Sequence, residues 1–156
     1  MAKNEDDDAH RTTPIGTARF ASEFYEAAIG ADDTLGRRPG HETIATIPVL
    51  YLIGHSMELS LKAFLLHQGV TLRELKTHFG HDLGRCLKKA KELNLLDLVA
   101  LDDHELSAFS VLNTLYSTKK LEYIVTGAKQ FPVFGYLQTM GKKLNEAVGK
   151  LVGYSR

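Results

Sequence analysis

Apolar residues recur along most of this chain at intervals of three and four, the spacing of helices that bury one face. Ala18, Phe20, Ala21, Phe24, Tyr25 and Ala28 describe a first helix over about 15–29. Gly30, Asp32, Asp33, Gly36 and Pro39 then break it. A second, central helix is predicted over about 42–68, with Pro48 tolerated in its first turns and Gly69 as its stop. Thr71 and Glu74 have the spacing of a capping box and open a short helix that ends near Phe79 and Gly80. Asp82 offers a carboxylate to the next helix, which turns Leu83, Cys86, Leu87, Ala90 and Leu93 inward and Arg85, Lys88, Lys89 and Lys91 outward. Asp102 with Glu105 repeats the cap signature ahead of Leu106, Phe109, Leu112, Asn113, Leu115 and Tyr116. The stretch LEYIVTGAKQFP reads as an irregular connection whose residues 121–125 match a strand. A last helix over about 133–152 buries Phe134, Leu137, Met140, Leu144, Val148 and Leu151. With no strand series, phosphate loop or internal repeat, the predicted fold is all-α. It is an antiparallel bundle of about five to six helices with the second as hub.

That hub carries an anomaly in the stretch GHSMELSLKAF, residues 54–64. At 100° per residue, Tyr51, His55, Glu58 and Lys62 fall within an arc of about 60°. Apolar residues fill the rest of the cylinder, so this polar line must lie against other helices. Glu58 precedes Lys62 by four residues, the favourable order along a helix, and His55 sits one turn earlier. The expectation is an internal polar seam that joins the central helix to Gly80, His81 and Asp82 and opens on a cleft.

Composition sets the frame around this seam. The 156 residues, 44% of them apolar, suit one domain over 14–156 behind a disordered acidic tail, 1–13, in which Glu5, Asp6, Asp7 and Asp8 face only Lys3. The single cysteine, Cys86, is expected in the core, and with no recognisable leader a reducing, cytoplasmic setting is expected. The longest apolar run, 47–53, falls short of the roughly 20 residues of a membrane span. Formal charge balances at 19 against 19, but the distribution is uneven. From Lys62 to Lys91 there are seven Lys or Arg against Glu74 and Asp82, and from Glu92 to Glu105 five acids and no Lys or Arg. Such polarity steers anionic ligands, although lysines on an outer helix face also serve to solvate it.

Candidate chemistry concentrates in RELKTHFGHDLGR, residues 73–85. Arg73 and His78 stand about 140° apart on an ideal helix, so they converge only through a bend. His81, just ahead of the Asp82 cap, is placed to hold the turn. No metal or cofactor is expected, because His78, His81 and Asp82 lack a cysteine partner or an HExxH pattern. No serine sits in a nucleophile elbow.

The run YLIGHSMELSLKAFLLHQGVTLRELKTHFGHDLGRCLKKAKE resembles HEPN domains, helical domains named for nucleotide binding in higher eukaryotes and prokaryotes. LNTLYSTKKLEY, residues 112–123, looks like the later family segment in which an asparagine and a tyrosine precede a basic and aromatic pair. The resemblance implies a helical bundle paired as a homodimer. It also implies one of three roles: nucleotide-binding partner of a nucleotidyltransferase, toxin–antitoxin or antiphage module, or metal-independent RNase. The RNase branch carries Arg, four to six residues, then His, and RELKTH, residues 73–78, matches that string. It lies earlier in the chain than the family's pair, and after His104 there is no further histidine. Lys119 and Lys120 supply charge for phosphate but no proton transfer. The expected function is therefore an HEPN-like module that binds a nucleotide or RNA segment without catalysis. Its expected ligand-binding set is His55, Glu58, Lys62, Arg73, His78, His81, Lys119, Lys120 and Tyr123. The alternatives are an RNase that uses Arg73 and His78, and an interaction subunit for a nucleotidyltransferase-type partner.

Overall fold

The computed structural model describes residues 5–42, 44–123 and 129–155, and among them every regular element is helical. In order these are α1, Glu5–Arg11; α2, Pro14–Leu35; α3, Ile47–His67; and α4, Leu72–Glu74, which continues as a π turn, Leu75–Phe79. Then follow α5, Leu83–Glu92; a 3-10 turn, Leu95–Asp97; α6, Asp103–Ser117; and α7, Phe134–Val152. The fold is the all-α bundle that the periodicity predicts.

Several boundaries differ from the pattern for identifiable reasons. A helix, Glu5–Arg11, stands where composition predicts a disordered tail, with His10 and Arg11 in its last turn, where the helix dipole favours cations. Residues 1–4 of that tail lie outside the described residues. α2 continues past Gly30 to Leu35 because Ala31 and Leu35 pack against the core, which outweighs local breaker residues. α3 starts at Ile47 rather than 42, with Pro48 in its first turn, where a missing N–H costs nothing. The caps at Thr71, Asp82 and Asp102 form as spaced in the sequence. Of the strand-like stretch 121–125, residues 121–123 are turn and bend, and 124–125 lie outside the described residues.

α3 is the hub, with Leu50, Ile53, Met57, Leu61, Phe64 and Leu65 fully buried. α2 runs antiparallel to it, and Ser56 Oγ donates to the Ala21 carbonyl at 2.7 Å. α7 runs parallel to it: Ala45 and Phe134 line one cavity, Ile53 meets Gly141, and Asn145 donates to Ser56 Oγ at 3.1 Å. α5 and α6 cover the remaining side. α3 has the length and apolar composition of a membrane span, yet here most of it is covered by the bundle. Its Gly54 faces α6 at close range: a Cβ there would stand 2.7 Å from Tyr116 Cδ2. A side chain there would push Tyr116 off the seam.

Candidate functional site

The polar line on α3 is compensated from three directions. Glu58, 2% exposed, accepts from Lys62 Nζ at 2.6 Å, one turn along the same helix. His81 Nδ1, from the turn before α5, lies 3.0 and 3.2 Å from its two oxygens. Tyr116 on α6 donates its hydroxyl to Oε2 at 2.5 Å, the short distance of a charge-assisted bond. Lys62 spends a second N–H on the carbonyl of Gly80 at 2.6 Å. That carbonyl is aimed by a backbone with φ of +50° and ψ of −125°, which glycine adopts without a Cβ clash. α3 is thus tied to the Gly80–His81 turn as the seam predicts.

The donor count fixes the tautomers. An ionised carboxylate only accepts, so His81 Nδ1 carries a proton. Tyr116 gives its one proton to Glu58, so the 3.0 Å contact between His55 Nδ1 and the Tyr116 hydroxyl is a donation by His55. His55 itself stands 3.7 Å from Glu58, close enough for charge but beyond a hydrogen bond. Its ring is packed edge-on by Phe24 at 4.4 Å and stacked by Tyr51 at 6.2 Å. Burial opposes ionisation of Glu58; the neighbouring His55 ring, the Lys62 ammonium and the Tyr116 hydroxyl outweigh it and hold the carboxyl down at about 2. Burial, then the Glu58 charge, pushes the Tyr116 hydroxyl far up, so it stays a donor. Burial also lifts the thiol of Cys86, fully enclosed in the core, to about 12, which makes it unreactive. The hub opens outward most at His81, whose side chain is 54% exposed with Nε2 uncommitted to Glu58.

Below this edge lies the π turn. Gly80 N–H donates to the Leu75 carbonyl, five residues back. A wider turn takes more residues per rotation, so Arg73 and His78 lie closer in angle than on an ideal helix. Both are exposed. They are linked through Thr77, whose hydroxyl donates to the Arg73 carbonyl at 2.8 Å and lies 3.3 Å from His78 Nδ1. Arg85 Nη1 reaches the His78 carbonyl at 3.4 Å and fastens the turn to α5. The two acids of this basic stretch are both committed to helix starts. Glu74 bonds the N–H and hydroxyl of Thr71, while Asp82 accepts from the Arg85 N–H and from Asn113 Nδ2.

The remaining candidates sit elsewhere. Lys119, at φ +59°, and Lys120 follow the end of α6, and Tyr123 is exposed beyond them. Glu122 bears on Tyr51, so this end of α6 points toward the start of α3, whereas Arg73 and His78 belong to the segment beyond its end. Tyr51 and Lys62 alone are about 16 Å apart along the helix. Lys120 lines a separate cavity with Ser110, Thr114 and Lys129. The nine expected residues therefore form two groups. His55, Glu58, Lys62 and His81 join in the hub with Arg73 and His78 nearby; Lys119, Lys120 and Tyr123 stand apart.

Two contributors escape the periodicity reading. Tyr116 and Asn113 look like members of an apolar helix face, yet Tyr116 holds Glu58, and Asn113 Oδ1 accepts from the Leu83 N–H at 2.9 Å. The signal available was that a buried tyrosine hydroxyl needs a partner, and the seam's carboxylate is the unmatched acceptor. Glu105, 1% exposed, is more than a cap: Lys143 Nζ reaches it at 2.7 Å and locks α6 to α7. Among the described residues no three His, Cys, Asp or Glu side chains gather as metal ligands would. Comparison with known proteins returns no match to this chain, whether family model, curated protein or solved structure.

Proposed function

We propose that this chain is an HEPN-like module that binds a nucleotide or RNA segment without cleaving it, through the face around the π turn. The observation that carries this reading is a cationic surface with few acids to oppose it. Arg73, Arg85, Lys88 and Lys91 are exposed along α4 and α5; of the two acids between Lys62 and Lys91, Glu74 closes a capping box, while Asp82 caps α5 and pairs with Arg85 at 3.5 Å. Lys62 lies behind it with its charge answered by Glu58. Anions that bind such a face release counterions, so affinity falls steeply with salt. The test is fluorescence anisotropy with a short single-stranded RNA, and calorimetry with mixed nucleotides, at two ionic strengths. Salt-sensitive binding that drops about tenfold or more in Arg73→Glu/Arg85→Glu is expected. Absence of salt-sensitive binding to every probe would remove the reading.

A second reading, a metal-independent RNase, has one specific observation in its favour. The carboxylate-held imidazole is His81, with Nδ1 on Glu58 and Nε2 toward solvent, the arrangement of an oriented general base. His78, the histidine of the sequence motif, is held only by Thr77. RNA incubated with chelator would then be cut by His78→Ala and spared by His81→Ala; intact RNA with the parent protein eliminates this reading.

A further inference from the structure

A groove outside that face runs between the first half of α2, the second half of α3, and α4 with its π turn, and encloses about 460 Å³. Leu59, Leu66, Leu72 and Leu75 form an aliphatic floor. Arg11, Arg19 and Lys76 stand along the rim, with Lys62 at the inner end, and none of the described residues that line it is a carboxylate. Lys62 is neutralised by Glu58, so the rim carries the free charge. Arg19 shares its charge with Glu23 at 3.4 Å and lies over the ring of Phe20, 5.4 Å from its centroid. Phe20 is itself 50% exposed and presents its ring beside the leucine floor. The first turn of α2 bears no acid, so the positive end of its dipole adds to the field.

The lining discriminates between anions. A nucleotide brings base and ribose edges that need hydrogen-bonding partners, and the leucine floor has none to give. The hydroxyl protons of Thr12 and Thr17 already go to the Asp8 and Thr13 carbonyls, and Thr13 Oγ1 caps α2 by accepting from the Gly16 N–H. An aliphatic chain asks for nothing but burial, and the cations meet its head. We propose that this groove binds a free, monomeric aliphatic anion, a medium-chain carboxylate or phosphate monoester, with its chain on the leucines and Phe20 and its head against Arg11, Arg19 and Lys76. The volume lies within the range of small-molecule sites, about 300–1,000 Å³.

The test is calorimetric titration of the full chain with dodecanoate, decanoate, octanoate and dodecyl phosphate, each below its micelle-forming concentration. AMP and vesicles of phosphatidylcholine with phosphatidylglycerol serve as separate arms. Saturable binding of dodecanoate and dodecyl phosphate is expected, weakening on the order of tenfold for each pair of methylenes removed. Arg19→Glu and Lys76→Glu, both at exposed positions, should each weaken dodecanoate about tenfold. Arg73→Ala, which removes an exposed charge of the π-turn face and no residue that lines the groove, should leave it unchanged, so this inference and the RNA reading stand or fall separately. Affinity independent of chain length overturns the proposal, as does indifference to both rim substitutions. AMP competing with dodecanoate at equal or greater affinity overturns it too, and so does binding to vesicles with none to the free anions.

Discussion

Glu58 and Glu74 lie sixteen positions apart in one charged stretch, each with a lysine or arginine and a histidine close by, yet they do opposite work. Glu58 is enclosed and draws donors from α3, from the turn before α5 and from α6. Glu74 is exposed and closes a local capping box with Thr71. Both carboxyls are held below their usual range, Glu74 by the Thr71 backbone and hydroxyl and Glu58 by partners that outweigh its burial. The difference is what each partner loses without the carboxylate. Around Glu74 water takes its place; Glu58 is enclosed, and without it the half-exposed His81 could turn to water, but Lys62 and Tyr116 would each be left with an unmatched donor.

Removing the two side chains makes the contrast measurable. Glu58→Ala strips the compensation from a part-buried ammonium and leaves the buried Tyr116 hydroxyl unmatched, and is expected to destabilise the fold by about 3 kcal/mol in urea denaturation. Glu74→Ala forfeits one exposed cap and should shift the midpoint far less. Equal losses, or an unchanged melting temperature for Glu58→Ala, would erase the distinction between the two regions.

Acid probes the same difference without mutation. The folded Glu58 carboxyl, at about 2, lies below its usual 4.5, so its contribution is fully present above about 4.5 and is lost as pH falls toward 2. Over that window the loss from this one group is on the order of 3 kcal/mol. Denaturation midpoints followed from pH 6 to pH 2 should fall in the parent chain and flatten in Glu58→Gln, which has no proton to take up. A Gln variant with the parent's slope would mean that other carboxyls carry the acid sensitivity.

How much of this was legible in the sequence follows from the range of each interaction. Caps at Thr71, Asp82 and Asp102 span three residues, and the chain alone locates them. The polar line of His55, Glu58 and Lys62 lies on one helix face, and helical geometry is enough to predict that it must be answered. What answers it is less local. The Tyr116 partner lies 58 residues away and the Asn113 tie to Asp82 spans 31, distances at which periodicity says nothing. The separation of Lys119 and Lys120 from Arg73 has the same origin, since it depends on which way α6 points across α3. Local rules also failed at Gly30, where the packing of Leu35 extends α2 through apparent breakers.

Glycine substitutions separate packed from open positions of the bundle. In Gly54→Ala the new methyl would lie 2.7 Å from Tyr116 Cδ2, so the ring must shift and weaken its bond to Glu58; a loss of about 1–3 kcal/mol is expected. Gly30→Ala, where a Cβ meets nothing within 4 Å inside a helix, should instead stabilise by about 0.5–1 kcal/mol. Melting curves of the two variants read the sign directly. Two changes of the same sign would mean that α6 does not press on α3 at Gly54.

The smallest effect on stability separates the two outer groups of cations. Arg73→Ala and Lys120→Ala both remove exposed charges and should each leave stability within about 0.5 kcal/mol. RNA binding is where they diverge. If the π-turn face is the binding surface, Arg73→Ala lowers the slope of log affinity against log salt by about 0.7, the value for one phosphate contact to a single strand. Lys120, in its own cavity on α6, should leave that slope unchanged. Equal drops for both residues would require one strand to reach across the hub, and the ligand would then be an extended RNA rather than a nucleotide. A drop for Lys120 alone would move the binding surface to the end of α6 and leave the capped acids at Glu74 and Asp82 as purely structural features.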